Sequence, residues 1–327
     1  MFAYIARRIA YAFPILLGVN LLLFFLFFFV NTPDDMARTY LGDKRVSREQ
    51  IETWKTEHGY HLPKILNLDA AMPGCFTETI FWKKSMRLFA FDFGKSDIDG
   101  SRIGTEIRRR IPYSLYVTVP VFFIGLAISI FIAMIVAFYR GTYIDTWALV
   151  VCVIMMSISI MFYIVAGQYL VGIKLRLAPV SGFDTPLANA LKFLVLPVVI
   201  GVIGGIGGSV RYYRTIFLEE INKDYIRTAR AKGLGEGRVL FKHALKNAMF
   251  PILTNVVVSI PFLIIGSLLF ENFFGIPGLG NYTIEAITKQ DFAVVRSMVF
   301  LGAVLYVVAL IGVDISYTLV DPRVRLK

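Results

Sequence analysis

Three groups of residues invite a chemical reading. Gly94-Lys95-Ser96 has the ending of a phosphate-binding loop, where backbone N–H groups and a lysine cradle phosphate oxygens. That loop needs a glycine five residues before Gly94, and position 89 is Phe89. The sequence therefore predicts no nucleotide site there. His58, His61 and His243 are too scattered for a metal cluster, and the pair at 58 and 61 reads as a solvated face. Cys75 and Cys152 give no disulfide framework, because Cys152 lies inside an apolar run. No nucleophile has a base at a defensible spacing. The expectation is a chain with no catalytic residues, no metal site, no cofactor of its own and no enzymatic activity.

The elements around these residues explain why. The chain has 327 residues, 57% of them hydrophobic and only 17% charged. Soluble domains carry roughly a quarter charged residues, so an all-α polytopic membrane protein is predicted. Charge-free runs occupy Ile9–Val30, Ile111–Tyr139, Thr146–Ile173, Phe193–Val210, Asn247–Phe270 and Ser297–Val313. Each is read as a transmembrane helix. The first is long enough for roughly 33 Å of helix, which crosses a bilayer core. It lacks a small-residue cleavage site and is read as retained rather than as a signal peptide. The last run is short and is expected to extend past Arg296 or Asp314, whose charges can snorkel or pair.

The net charge of +11 reads as topology rather than as nucleic-acid binding. With the N-terminus inside, 15 lysines and arginines fall inside and 5 in the short outside loops. That count includes Arg323, Arg325 and Lys327, and it predicts both termini inside. Arg108-Arg109-Arg110 goes against it. The expected divisions are 1–30, a first span; 31–110, a large extracytoplasmic segment; and 111–327, a five-helix core with a cytoplasmic loop at 211–249. In the large segment, Ser47 and Gln50 form a capping box for a helix ending near Gly59. Ile103, Ile107 and Ile111 predict a helix leading into the second span. Residues 66–82 match no pattern.

The loop between the fourth and fifth runs, Glu219 to Pro251, is basic and soluble in character. Asp224 is a candidate cap for a short helix over Tyr225–Lys232, and Gly233 supplies a left-handed stop. A second helix is expected from Glu236 to about Met249, with Phe241, Ala244, Leu245 and Ala248 on one face. Pro251 suits the first turn of the helix after it. Chemistry alone leaves three readings of this hairpin: a protein-docking element, an amphipathic loop on lipid headgroups, and a DNA-binding helix–turn–helix. Elsewhere, Gly201/Gly205 and Gly204/Gly208 have the spacing that permits close helix contact in lipid. Glu271, Pro277, Gly278 and Gly280 mark a turn-rich stretch after the fifth run, followed by a short amphipathic helix over Tyr282–Ala293.

Residues 224–254 resemble the cytoplasmic loop of permeases in ATP-binding-cassette importers. That loop's general signature is E-A-A, three residues, Gly, nine residues, I-x-L-P. Ala229, Gly233 and Leu245 match it. Tyr-Ile-Arg-Thr-Ala-Arg-Ala-Lys-Gly at 225–233 is similar to the version in the oligopeptide and dipeptide branch, in the first of its two permease subunits. FDFGKS at 91–96, the Pro277-Gly278-Leu279-Gly280 stretch and residues 314–323 are also similar to that branch.

The resemblance implies a subunit of a bacterial inner-membrane importer for peptides or peptide-like solutes. It implies a second homologous permease subunit, two cytoplasmic ATPases that carry ATP and Mg, an extracytoplasmic substrate-binding protein, membrane lipid as surroundings and no nucleic acid. It implies ATPase docking through Asp224, Tyr225, Ile226, Arg227, Thr228, Ala229, Arg230, Ala231, Lys232, Gly233 and Leu234, with Tyr225, Ile226 and Ala229 in direct contact. Gly201, Gly204, Gly205 and Gly208 would pack helices, and Glu271, Pro277, Gly278 and Gly280 would form an extracytoplasmic gate or loop. The alternatives are a self-sufficient secondary transporter or channel, which needs ionisable groups deep in its spans, and a membrane-embedded enzyme. Nickel and glutathione are the alternative cargoes within the family.

Overall fold

The structure, a computed structural model, describes residues 2–42, 46–67, 72, 74–184 and 187–320. Arg323, Arg325 and Lys327, and part of the 66–82 stretch, lie outside the described residues. Among the described residues every regular element is a helix, joined by turns and irregular loops, with one isolated bridge between Lys95 and Arg102.

Among the described residues, five helices are long and apolar enough to cross a membrane: Ala6–Val30, Ile103–Phe138, Asn189–Ile221, Glu236–Ile265 and Phe292–Ile315. The third expected span is different. It is a pair, Tyr143–Ser157 and Ile160–Lys174, bent by 87°. The cause is local. Ile158 is extended, and the Ser159 hydroxyl accepts the N–H of Met161 at 3.3 Å, capping a new helix inside an unbroken apolar run. Serine competes for backbone groups in this way, and hydropathy does not register it.

Residues up to Ile111 and Tyr282–Ile311 form one compact unit. Its core gathers Phe24, Phe28, Met36, Ile51, Trp54, Tyr60 and Ile80. The expected capping box holds: Gln50 N donates to Ser47 Oγ and Ser47 N to Gln50 Oε1, and Gly59 ends the helix at φ +70°. Thr32 and Asp35 form a second box not foreseen in the sequence. The helix opening at Ile103 runs on into the second span as expected, burying Ile103 and Ile107. The sixth span does extend past Arg296. The expected amphipathic helix runs Leu279–Lys289 instead of Tyr282–Ala293, because Gln290 takes a left-handed φ of +59° and breaks it.

Pro112–Asn281 and the described residues from 312 to 320 form the other unit. Here the glycine-rich fourth span packs by a spacing of three. A Cβ on Gly201 would come 2.9 Å from Val121, on Gly204 2.5 Å from Ile160, and on Gly207 2.8 Å from the Cys152 carbonyl. Gly205 and Gly208, expected to pack, meet nothing within 4 Å. The four-residue pairs are thus split, with one member of each against a neighbour and the other open. Gly207→Leu is expected to destabilise the subunit by about 2–3 kcal/mol, since the obstructing atom is backbone. Gly205→Leu should leave its melting in detergent unchanged; equal melting of the two variants would refute this register.

Candidate functional site

The 211–251 loop folds as a hairpin continuous with its spans. The fourth-span helix ends at Ile221, and a short helix covers Asp224–Ala231. Its N-cap is Lys223, with extended backbone, not Asp224. Asp224 is the first helical residue. Its carboxylate lies 3.4 Å from Arg227, while its carbonyl accepts from Thr228. An acid in that first turn still complements the helix dipole. Gly233, at φ +76°, makes the left-handed turn that a Cβ would strain. Arg230 then clamps the far side, donating to both Glu236 oxygens at 2.8 and 3.1 Å.

The return arm departs from expectation. Glu236–Arg238, a π-turn at Val239–Ala244 and Leu245–Ile265 form one continuous helical run. Pro251 therefore sits inside a helix rather than at the start of one. The π-turn inserts an extra residue into the helical repeat and rotates the buried face. Val239 and Leu240 are buried, whereas Phe241, expected on the core face, is 56% exposed. Ala244 and Ala248 are buried as expected.

The short helix lies on the protein's own core. Ile226 is fully buried and Ala229 nearly so, in an apolar cluster with Ala133 and Met134 of the second span, Cys152 of the third, Phe217 and Ile221 of the fourth, and Val239 and Ala248 of the fifth. Of the three residues expected to touch a partner directly, Ile226 and Ala229 are therefore internal. Three apart on a short amphipathic helix, they form its apolar face. Tyr225 is half-buried, and its hydroxyl donates to Glu220 at 2.6 Å. Burial, reinforced by that hydrogen bond, pushes the phenol up to about 12. Leu234 is half-buried. The outward face consists of Asp224, Arg227, Thr228, Arg230, Ala231, Lys232 and Gly233.

Two further ties hold the base of the hairpin. Arg214 and Asp145 pair at 2.7 Å, and Asp145 also accepts the N–H of Gly141. Arg140 donates to Asn222. The sequence reading missed Asp145 and Arg214, because it ended the third and fourth spans at their charges while the helices run through them.

The second group, around Glu271, is brought together in space. Glu271 is fully buried. Its carboxylate accepts Ser267 N at 3.2 Å and Asn281 N at 3.1 Å, and Ser114 Oγ accepts Leu279 N at 2.8 Å. Burial pushes the Glu271 carboxyl up, against the Ser114 hydroxyl and backbone N–H groups that favour its charge. A Cβ on Gly278 would lie 2.5 Å from Ser114 Oγ, and one on Gly280 2.7 Å from the Ser267 backbone. Ser114 and Gly266, at φ +78°, complete this cradle. Only Pro277-Gly278 and Gly280 gave a local signal for it.

Among the described residues no three His, Cys, Asp or Glu side chains converge as a metal site would require. The Gly94-Lys95-Ser96 stretch is no phosphate loop: Ser96 Oγ donates to Asp291 and no helix begins until Ile103.

Residues 115–326 match the family model described as binding-protein-dependent transport system inner membrane component. A Brucella abortus protein named for a peptide transport system permease is 33% identical over 330 residues, with 99% of each chain covered. An oligopeptide transport system permease protein of Bacillus subtilis is 31% identical across 99% of this chain and 100% of its own. A di/tripeptide transport system permease protein of Pseudomonas aeruginosa is 29% identical, with 99% of each covered.

Proposed function

The chain belongs to the binding-protein-dependent transport system inner membrane components, and from that premise we propose that it is one permease subunit of an ATP-driven peptide importer. It is a multi-pass protein of the inner membrane. The cargo assignment rests on the peptide, oligopeptide and di/tripeptide transport named for its relatives. Both termini and the 211–249 loop face the cytoplasm, following the distribution of basic residues. The segment at 31–110 faces outward, where a substrate-binding protein delivers cargo. A second permease subunit completes the pathway, and two ATPase subunits hold the ATP and Mg.

The observation that carries this reading is the seating of helix 224–231. One face is buried in a cluster drawn from the second to fifth spans, and the other is bare and polar. Close-packed side chains have little slack, so a displacement of the bare face moves the span ends with it. Gly233 and the Arg230–Glu236 clamp keep the two arms at a fixed angle. ATP-driven closure of the ATPases would pull on the bare face, tilt the spans and switch access across the membrane.

Cysteine crosslinking tests this. Thr228→Cys and Ala231→Cys, on the bare face, are expected to crosslink to a cysteine-bearing ATPase subunit in the assembled complex, with yields that change on ATP binding. Absence of crosslinks from both would sink the docking assignment. The purified chain alone, in vesicles, is expected to move no peptide; uptake by it would establish a secondary transporter.

A further inference from the structure

We propose that the segment between the first and second spans carries a binding cleft for a phosphate or carboxylate oxyanion, a site beyond the transport reading above. A cleft of about 290 Å³ opens there, with Lys83, Lys84, Arg87, Lys95 and Arg296 among its lining residues. Glu57 and Asp92 are the acids on its walls. A second cleft of about 750 Å³ shares Lys84, Arg87 and Lys95 and adds Arg102 and Arg108.

Two features distinguish this from a solvated basic surface. Arg296 is only 3% exposed, and its Nε has no hydrogen-bond partner. Its guanidinium stands 5.2 Å over the Phe28 ring, an arrangement that favours a cation but satisfies no N–H. Buried polar groups are nearly always satisfied, so a largely buried guanidinium that lines the cleft with an unpaired Nε is a cation short of acceptors. Lys84 is also withdrawn from water, 4.7 Å over the Tyr60 ring. Burial pushes its ammonium down, and Arg296 and Arg87 push the same way against Asp97.

Of the nearby acids, Glu57 is exposed on the cleft wall, and Asp97, Asp291 and Asp92 already accept hydrogen bonds. Asp97 accepts the Tyr60 hydroxyl at 2.9 Å. Asp291 accepts Ser96 Oγ and the N–H of Val294, capping the sixth span. Asp92 accepts Gly94 N and lies 3.8 Å from Arg87. Lys83, Lys84, Lys95, Arg102, Arg108 and Arg296 form no ion pair among the described residues. Lys84 and Arg296 are withdrawn from water, with Lys83, Lys95, Arg102 and Arg108 exposed around them; these like charges repel one another, and a bound oxyanion relieves that repulsion while accepting their N–H groups. The oxyanion has two sources, a free anion or the headgroup of an anionic phospholipid.

The test uses the full transporter complex in nanodiscs. In zwitterionic lipid, inorganic phosphate is titrated calorimetrically. In mixed lipid, retained phosphatidylglycerol is measured by native mass spectrometry. Lys84→Gln and Lys95→Gln are each expected to weaken the interaction about tenfold, the loss of one charge-assisted contact. Lys95 is exposed, so Lys95→Gln should melt as the parent does, and unchanged melting rules out a folding defect as the cause of weaker binding. Saturable phosphate binding that both variants weaken supports a free anion. Phosphatidylglycerol retention lost in both variants supports a headgroup. No binding in either arm, or binding indifferent to both substitutions, overturns the site.

Discussion

Ile226→Asp is expected to abolish ATP-driven uptake while ATP hydrolysis continues. Ile226 is fully buried beside the ends of four spans, in a cluster whose side chains are apolar apart from the Tyr213 and Tyr225 hydroxyls and the Cys152 thiol. An unpaired carboxylate there costs several kcal/mol, more than one short helix can absorb in place. The polar ties that remain are weak by comparison. The half-exposed Arg230–Glu236 pair contributes at most about 1 kcal/mol, and the Tyr225–Glu220 hydrogen bond about 1.5–3 kcal/mol. The least costly response is for residues 224–231 to peel away from the spans while the spans stay inserted. ATPases could still grip the bare face, but their movement would no longer reach the membrane. In proteoliposomes holding the whole complex, peptide uptake should fall by more than tenfold and phosphate release far less, a difference of over about 1.4 kcal/mol in the coupled step alone. Ile226→Leu, which keeps volume and polarity, should retain both. Uptake by Ile226→Asp at the parent rate would mean that force enters the spans elsewhere.

How much of this was legible in advance depends on the range of the determining interactions. Ser47 and Gln50, Gly59 and Gly233 act over a few residues, and each did what its local chemistry predicts. The surprises come from single-residue shifts and from distance. One extra residue in the turn at Val239–Ala244 replaces Phe241 with Val239 and Leu240 on the core face. One serine cap at Ser159 bends a run that hydropathy reads as straight. Gly207 rather than Gly205 or Gly208 packs, because the facing helix sets the register and spacing alone cannot choose it. The docking helix was legible as a helix but not in its orientation. Ile226 and Ala229 looked like contacts for a partner only while the core they cover was out of view.

Gly278→Val is expected to unseat the loop between the fifth and sixth spans, and the reason is the most distant pairing in the site. Ser114, at the start of the second span, accepts the N–H of Leu279, 165 residues away in sequence. Glu271 holds the same turn through Ser267 N and Asn281 N. Even one Cβ on Gly278 would press on both side chains, 2.5 Å from Ser114 Oγ and as close to Glu271 Cδ. Neither is the free end of a flexible chain, because both are fixed by the bonds they accept. Valine therefore adds overpacking of about 1–3 kcal/mol and leaves buried N–H groups without acceptors at about 1–3 kcal/mol each. Gly237→Val, in open space, is the matched control and should be nearly silent. The same site has a pH signature. Burial raises the Glu271 carboxyl above its ordinary 4.5, so its contribution is fully present below about that pH. It is lost as pH rises through the folded value, which makes the loop tighter in acid. Limited proteolysis across residues 266–281, read against pH, should show cleavage rising from acid toward neutrality in the parent and fast cleavage at every pH in Gly278→Val. A parent loop cut equally at all pH values, or a valine variant as resistant as the parent, would mean that Glu271 and Ser114 do not hold this turn.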